Sequence, residues 1–208
     1  MTPPLITLTD PRSAAAEAYR SLYINLSFSS QEKPLRRLLI SAAGPEGSNS
    51  LVLANLAVVA AQMGQRVLVV DADLRQPQQH ELFGLRNERG LTTLVAGKEA
   101  AAAALQAAAG IEGLGVLTSG PLPTSPSQVL ANRRFDELLA ELAEQVDLIL
   151  LDAPPITAVA DASVLAAKAD GVLLVLNAGQ SKRDEARQAK ETLEKINAHV
   201  VGVVLNNT

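Results

Sequence analysis

Residues Leu38 to Ala61 join three kinds of sequence without a break. An apolar run, Leu38-Leu-Ile40, leads into the small-residue stretch Ser41-Ala-Ala-Gly-Pro-Glu-Gly-Ser-Asn-Ser50, and that into the apolar Leu51-Val-Leu-Ala-Asn-Leu-Ala-Val-Val-Ala-Ala61. The order predicts a strand, a tight loop and a buried helix. A loop of this kind brings several backbone N–H groups and the positive end of a helix dipole onto one anion, as phosphate-binding loops do. The usual pattern is G-x-x-x-x-G-K-[ST], and the candidate nucleotide-binding residues of this loop are Gly44, Pro45, Glu46, Gly47, Ser48, Asn49 and Ser50. Ser48 stands where the second glycine belongs and Asn49 where the lysine belongs; Ser50 keeps the place of the hydroxyl that binds Mg²⁺.

Further apolar runs recur at Val67 to Val70, Leu114 to Leu117, Leu148 to Leu151, Val172 to Leu176 and Val200 to Leu205. None alternates with polar residues, which predicts strands buried on both faces, as in a parallel sheet. Between them helical patterns are expected at 51–63, 99–109, 132–145, 160–168 and 182–197, preceded by one from Ser13 to Phe28. The expected fold class is α/β, a single doubly wound domain with a mostly parallel sheet and helices on both faces. Residues 1–12, rich in proline, read as an extended lead-in to a domain over 13–208.

Composition narrows the function. With a net charge of -4 and scattered Lys and Arg, the chain has no basic footprint, so nucleic acid is not an expected partner. Cysteine is absent from the 208 residues, which fits a reducing compartment. No apolar run approaches the roughly 20 residues needed to span a bilayer. The N-terminal Met-Thr-Pro-Pro has no signal-peptide pattern. A cytoplasmic protein is expected.

In open parallel sheets ligands sit at the C-terminal strand ends. Two of the runs end in acid, and both are expected next to the strand that enters the 41–50 loop: Val67-Leu-Val-Val-Asp71-Ala-Asp73 and Leu148-Ile-Leu-Leu-Asp152. An aspartate after a buried strand can hold hydrated Mg²⁺ while phosphate oxygens complete its octahedron. Alone, each would read as a helix cap or turn residue; three beside a phosphate loop favour a metal and nucleotide site. Asp161, before an apolar helix, reads as an N-cap, and Arg75 as equally suited to a phosphate or a surface carboxylate. Pro154-Pro155 predicts a rigid turn. His80 and His199 have no metal-ligand spacing, and Gly120-Pro-Leu-Pro-Thr-Ser-Pro126 reads as a stiff connector.

Across almost its whole length the chain resembles the cytoplasmic domain of bacterial tyrosine kinases (BY-kinases), in turn related to the ParA and MinD ATPases. The stretches that carry the resemblance include Glu17-Ala-Tyr-Arg20-Ser-Leu-Tyr23, the 41–50 loop, Val69-Val-Asp71-Ala-Asp73-Leu-Arg75-Gln-Pro77, Leu151-Asp152-Ala-Pro-Pro155 and Gly202-Val-Val-Leu-Asn206. The resemblance implies ATP and Mg²⁺ as cofactors, with Ser50, Asp71 and Asp152 around the metal. Asp73, with those two acids, would form the catalytic set, and Asn206 would hydrogen-bond the adenine. It also implies that the helix bearing Glu17, Arg20 and Tyr23 makes a self-association interface. The expected partner is a membrane polysaccharide co-polymerase or adaptor that holds the chain at the inner face of the membrane, regulating exopolysaccharide or capsule synthesis.

Two substitutions depart from the family pattern: Asn49 for the phosphate-binding lysine, and Tyr23 for the last arginine of E-x-x-R-x-x-R. After Asn206 the sequence shows no tyrosine-rich stretch. A charged donor aimed at a transferring phosphate is worth about 10²- to 10³-fold in rate, by analogy with an oxyanion donor, so weakened protein-tyrosine kinase activity is expected. Competing readings are a non-enzymatic docking pseudokinase and a ParA- or MinD-like ATPase.

Overall fold

The computed structural model describes residues 4–29, 35–45, 48–97, 101–179 and 181–207. Its seven strands are β1 (Arg37–Ala42), β2 (Val67–Asp71), β3 (Leu105–Ala107), β4 (Leu114–Leu117), β5 (Leu148–Asp152), β6 (Gly171–Asn177) and β7 (Val200–Asn206). They form one sheet in the order β3-β4-β2-β5-β1-β6-β7. Every pairing is parallel except β3 with β4. This is the expected doubly wound α/β architecture.

Two helical layers cover the sheet. Against one face lie α1 (Ile6–Thr9), α2 (Ala14–Ser29), α3 (Asn49–Gln62) and the turn after α4 (Gln79–Leu82). Against the other lie α5 (Leu91–Val95), α6 (Ala101–Ala104), α7 (Pro126–Leu130), α8 (Arg133–Ala143), α9 (Ala160–Ala166) and α10 (Arg183–Lys195). The strand residues alternate between these layers: Leu39, Ile149 and Leu151 point one way, Leu38, Ile40 and Leu150 the other. Because both faces are covered, the central strands needed apolar residues at every position. Helix α3 is apolar nearly all round for the same reason and is buried from Asn49 almost to its end. Its Leu53 is fully buried, so Leu53→Ala would cost about 2–5 kcal/mol.

Three expectations need correction. The helix over 99–109 is confined, among described residues, to Ala101–Ala104, after which Leu105–Ala107 pairs antiparallel with β4. Alanine propensity favours helix weakly per residue; an open sheet edge offers backbone hydrogen bonds that outweigh it. The lead-in is not extended: Ile6–Thr9 form a helical turn, and Leu5 and Thr7 are buried. Thr7 donates from its N–H (3.1 Å) and hydroxyl (2.8 Å) to Asn55 Oδ1, and Asn55 donates to Leu51 O (2.9 Å), so one buried amide fastens the N-terminus to α3. Lastly, of the two acid-bearing strands only β5 lies beside β1; β2 is one strand farther out.

Candidate nucleotide and metal site

Strand pairing brings the two principal acids together. In the β2–β5 ladder Asp71 and Asp152 are register partners at the C-terminal end of both strands. Each is wholly shut off from water. Beside them β1 runs out through Ala43 and Gly44 and returns as α3, so Asn49 and Ser50 open that helix next to Asp152. Glu46 and Gly47, assigned to the phosphate loop, lie outside the described residues; Pro45 is exposed there, and Gly44 is buried.

Asn49 turns its amide onto the acid: Nδ2 donates to Asp152 Oδ1 (2.9 Å) and to Ala153 O (2.9 Å). The other oxygen, Asp152 Oδ2, accepts from Gln79 Nε2 at 2.7 Å. The same Nε2 donates to Ser50 O (3.1 Å), and the Gln79 N–H donates to Asp71 Oδ2 (2.9 Å). Gln79 is fully buried and ties β2, β5 and α3 into one polar cluster. Burial pushes Asp152 up to about 6 against the hydrogen bonds from Gln79, Ser50 and Asn49, which hold it down. Burial and then the neighbouring Asp152 push the Asp71 carboxyl well above the usual carboxylate range. These acids are solvated by neutral amides, with no cation among the partners of either carboxylate in the described residues.

Asp73 lies near enough for its charge to raise both acids, but its own hydrogen bonds go elsewhere. Its Oδ1 accepts from the backbone N–H of Arg75 (3.1 Å) and Gln76 (3.0 Å), closing the turn after β2. Arg75 Nε donates to Asp161 Oδ2 at 2.7 Å. Asp161 is the second residue of α9, whose N-cap is Val159, so the expected capping role gives way to a buried ion pair that Ser127 completes with its hydroxyl. Burial alone would raise Asp161, but the hydrogen bonds from Arg75 and Ser127 hold it below its usual value.

On the outer side of the loop, Ser48 has φ -104°, ordinary for any L-residue, so replacing glycine there stores no strain. Its hydroxyl donates to Asn177 Oδ1 (2.7 Å) and accepts from Asn206 Nδ2 (2.6 Å). The Asn206 amide, assigned to adenine by resemblance, is thus turned onto the loop. Glu185, from the first turn of α10, closes over Gly44 so tightly that a Cβ there would lie 2.5 Å from its Oε2. A carboxylate in that place disfavours a phosphate in the loop.

The donor set suits hydrated Mg²⁺ better than a bare ion. The Ser50 hydroxyl and the carboxylates are hard oxygen ligands, and Asp71 Oδ1 is a buried acceptor that receives no donor. Among the described residues no three His, Cys, Asp or Glu converge tightly enough to hold a metal by themselves. Water and phosphate oxygens would have to complete the shell.

Comparison with known proteins now identifies the family. A family model described as ParA: NUBPL iron-transfer P-loop NTPase matches residues 37–208. The tyrosine-protein kinase YwqD of Bacillus subtilis (strain 168) is 39% identical over 202 residues, 97% of this chain and 85% of that protein. This chain belongs to the bacterial tyrosine-protein kinases, within the ParA-like P-loop NTPases. Solved BY-kinase structures share its fold closely. The chimerical protein CapA2B2 matches with a TM-score of 0.94 at 34% identity, covering 98% of this chain and 89% of that one. The kinase domain of Escherichia coli tyrosine kinase ETK gives 0.93 at 35% identity, covering 99% and 80%. The iron chemistry in the family model's description has no thiolate to rest on here, since the 208 residues contain no cysteine.

Of the residues that resemblance assigns to a BY-kinase interface, Glu17 is exposed and pairs with Arg20 at 2.8 Å, while Arg20 also donates to Pro11 O at 2.6 Å. Tyr23 and Tyr19 lean half-buried on the layer formed by α3 and the sheet, and burial raises the Tyr19 hydroxyl. Sequence reasoning missed Gln79, Asn177 and Glu185. Asn177 carries the signal used for the acids, a polar residue closing an apolar run. Gln79 is indistinguishable by sequence from Gln76 and Gln78, and Glu185 belongs to an ordinary charged helix.

Proposed function

We propose that this chain is an ATP- and magnesium-binding BY-kinase domain whose phosphoryl transfer is weakened or lost, and which serves exopolysaccharide or capsule assembly through a membrane co-polymerase or adaptor on the cytoplasmic face. The observation that carries the reading is the Asn49 amide on Asp152 and Ala153 O. A lysine in that place would offer a transferring phosphate a full positive charge; the neutral amide offers a hydrogen bond already committed elsewhere. Mg²⁺, when bound, would neutralise phosphate charge, held by Ser50 with Asp71 and Asp152 through water. The chain's own contribution is the first turn of α3, whose N–H groups lack intrahelical partners and favour an anion. Glu185 on Gly44 and the tethering of Ser48 both act against occupancy. Tyr19 and Tyr23, the two tyrosines of the chain, are half-buried.

Calorimetric titration with Mg·ATP, followed by an assay of ATP turnover and phosphotyrosine, tests the proposal. Weak, magnesium-dependent binding with little turnover is expected. Asn49→Lys should raise turnover by about 10²- to 10³-fold, and more when combined with Ser48→Gly. Turnover by the wild type as fast as by the double variant would overturn it. Absence of binding in wild type and double variant alike would leave the docking pseudokinase as the function.

A further inference from the structure

Two of the buried side-chain atoms that receive no hydrogen bond, Asp71 Oδ1 and Gln79 Oε1, belong to the same small cluster. Both are acceptors. Their partner atoms are fully engaged: Asp71 Oδ2 by the Gln79 N–H, and Gln79 Nε2 by Asp152 Oδ2 and Ser50 O. Gln79 therefore cannot flip its amide without breaking two bonds to place a donor where Oε1 now lies. Buried acceptors left without donors cost about 1–3 kcal/mol each, so what belongs beside them is a ligand that presents donors only. A hydrated divalent cation is such a ligand, because every water in its shell turns its hydrogens outward, and Mg²⁺ keeps several of its waters.

We propose that Gln79 is a ligand of the metal's hydration shell: its Oε1, together with Asp71 Oδ1, accepts hydrogen bonds from water on a divalent cation placed by Ser50 and the bound phosphates. The proposal rests on the reading of this site as one for a metal and nucleotide. Both oxygens are enclosed, so the residues over them draw back to admit the cation's water, but the hydrogen bonds to Asp152 need not break. Asn49 and Gln79 Nε2 keep hold of Asp152, and the cation adds donors only where donors are missing. Gln79 thereby has two separable roles, a donor role toward Asp152 that holds the metal-free site together and an acceptor role toward the cation.

Substitutions at Gln79 separate the roles. Gln79→Met removes both; Gln79→Glu removes the donor and keeps an acceptor at Oε1, adding charge. The probe is Mn²⁺, whose free form is read by electron paramagnetic resonance, titrated into the full chain with saturating ADP; a thermal melt with and without Mn²⁺ provides a second readout. Gln79→Met should bind Mn²⁺ at least 10-fold more weakly than wild type, and Gln79→Glu as tightly or tighter. The melting temperature gained on adding Mn²⁺ should be greatest for Gln79→Glu, intermediate for wild type and smallest for Gln79→Met. If Gln79→Met does not fold, the comparison of Gln79→Glu with wild type decides alone: a Glu variant that binds more weakly, or gains less on melting, overturns the proposal. Equal affinity in all three proteins also overturns it, while the nucleotide reading stands. Wild type that takes up neither ADP nor Mn²⁺ overturns the nucleotide reading and this proposal with it.

Discussion

Asp152 and Asp161 stand on either side of the Pro154–Pro155 turn, and neither side chain reaches water. Their electrostatic states are opposite. Asp152 ends β5 among the amides of Asn49 and Gln79, and burial lifts it to about 6. Asp161 opens α9 against the Arg75 guanidinium and the Ser127 hydroxyl, which hold it down against the same burial. Burial acts on both in one direction, so the partner decides the outcome: an amide solvates a carboxylate without compensating its charge, and a guanidinium does both. Among the described residues the structural carboxylate has a cation as partner and the candidate catalytic one has none.

The largest effect should come from removing that contrast. Asn49→Lys gives Asp152 a cation beside it, and besides the gain in turnover already described it should return the carboxyl to the ordinary range; carboxylate titration followed by infrared spectroscopy would detect the change, and an unmoved titration would break the comparison. Next, Arg75→Met takes the cation away from Asp161. The half-exposed Arg75 lets some water replace it, so a loss of about 2 kcal/mol in urea unfolding is expected, below the roughly 3–5 kcal/mol of a fully buried pair.

Acidity distinguishes the two sites without mutation. Asp152 has a raised value in the fold, so the folded protein binds more protons than the unfolded chain between 3.8 and about 6. Its stabilising contribution is complete below 3.8 and is lost as pH rises through about 6. Asp161 is lowered from 3.8, so its contribution is complete above that value and is lost as pH falls through its folded value. Stability of the metal-free wild type should therefore rise by about 1–2 kcal/mol from pH 7 to pH 5, then fall under stronger acid. Chemical denaturation across that range reads it, and in Asn49→Lys the share due to Asp152 should vanish while that of Asp71 remains. The smallest effect is expected where charge is paired in full solvent. Arg66 grips Asp147 through Nε (3.1 Å) and Nη2 (2.6 Å), which with the Arg66 N–H lowers Asp147 to about 2. Arg66→Ala should leave the urea midpoint unchanged within error, because water competes for both partners; a clear shift would show that exposed pairs matter here as much as buried ones.

Much of this was legible in the residues. Uninterrupted apolar runs at Val67 to Val70 and Leu148 to Leu151 require strands covered on both faces, and the small-residue stretch before Leu51 requires a tight loop opening a buried helix. Periodicity and turn chemistry are local, so sequence determined the class of fold, the loop and the acids at the strand ends. Partnership is not local. That Leu105–Ala107 joins the sheet edge, that Thr7 is fastened to Asn55, that Arg75 goes to Asp161 and that Gln79, rather than Gln76 or Gln78, spans both acids depended on which atoms remained to be satisfied after the layers packed. A buried polar atom must find its partner wherever the fold places one, and only the tertiary structure decided where that was.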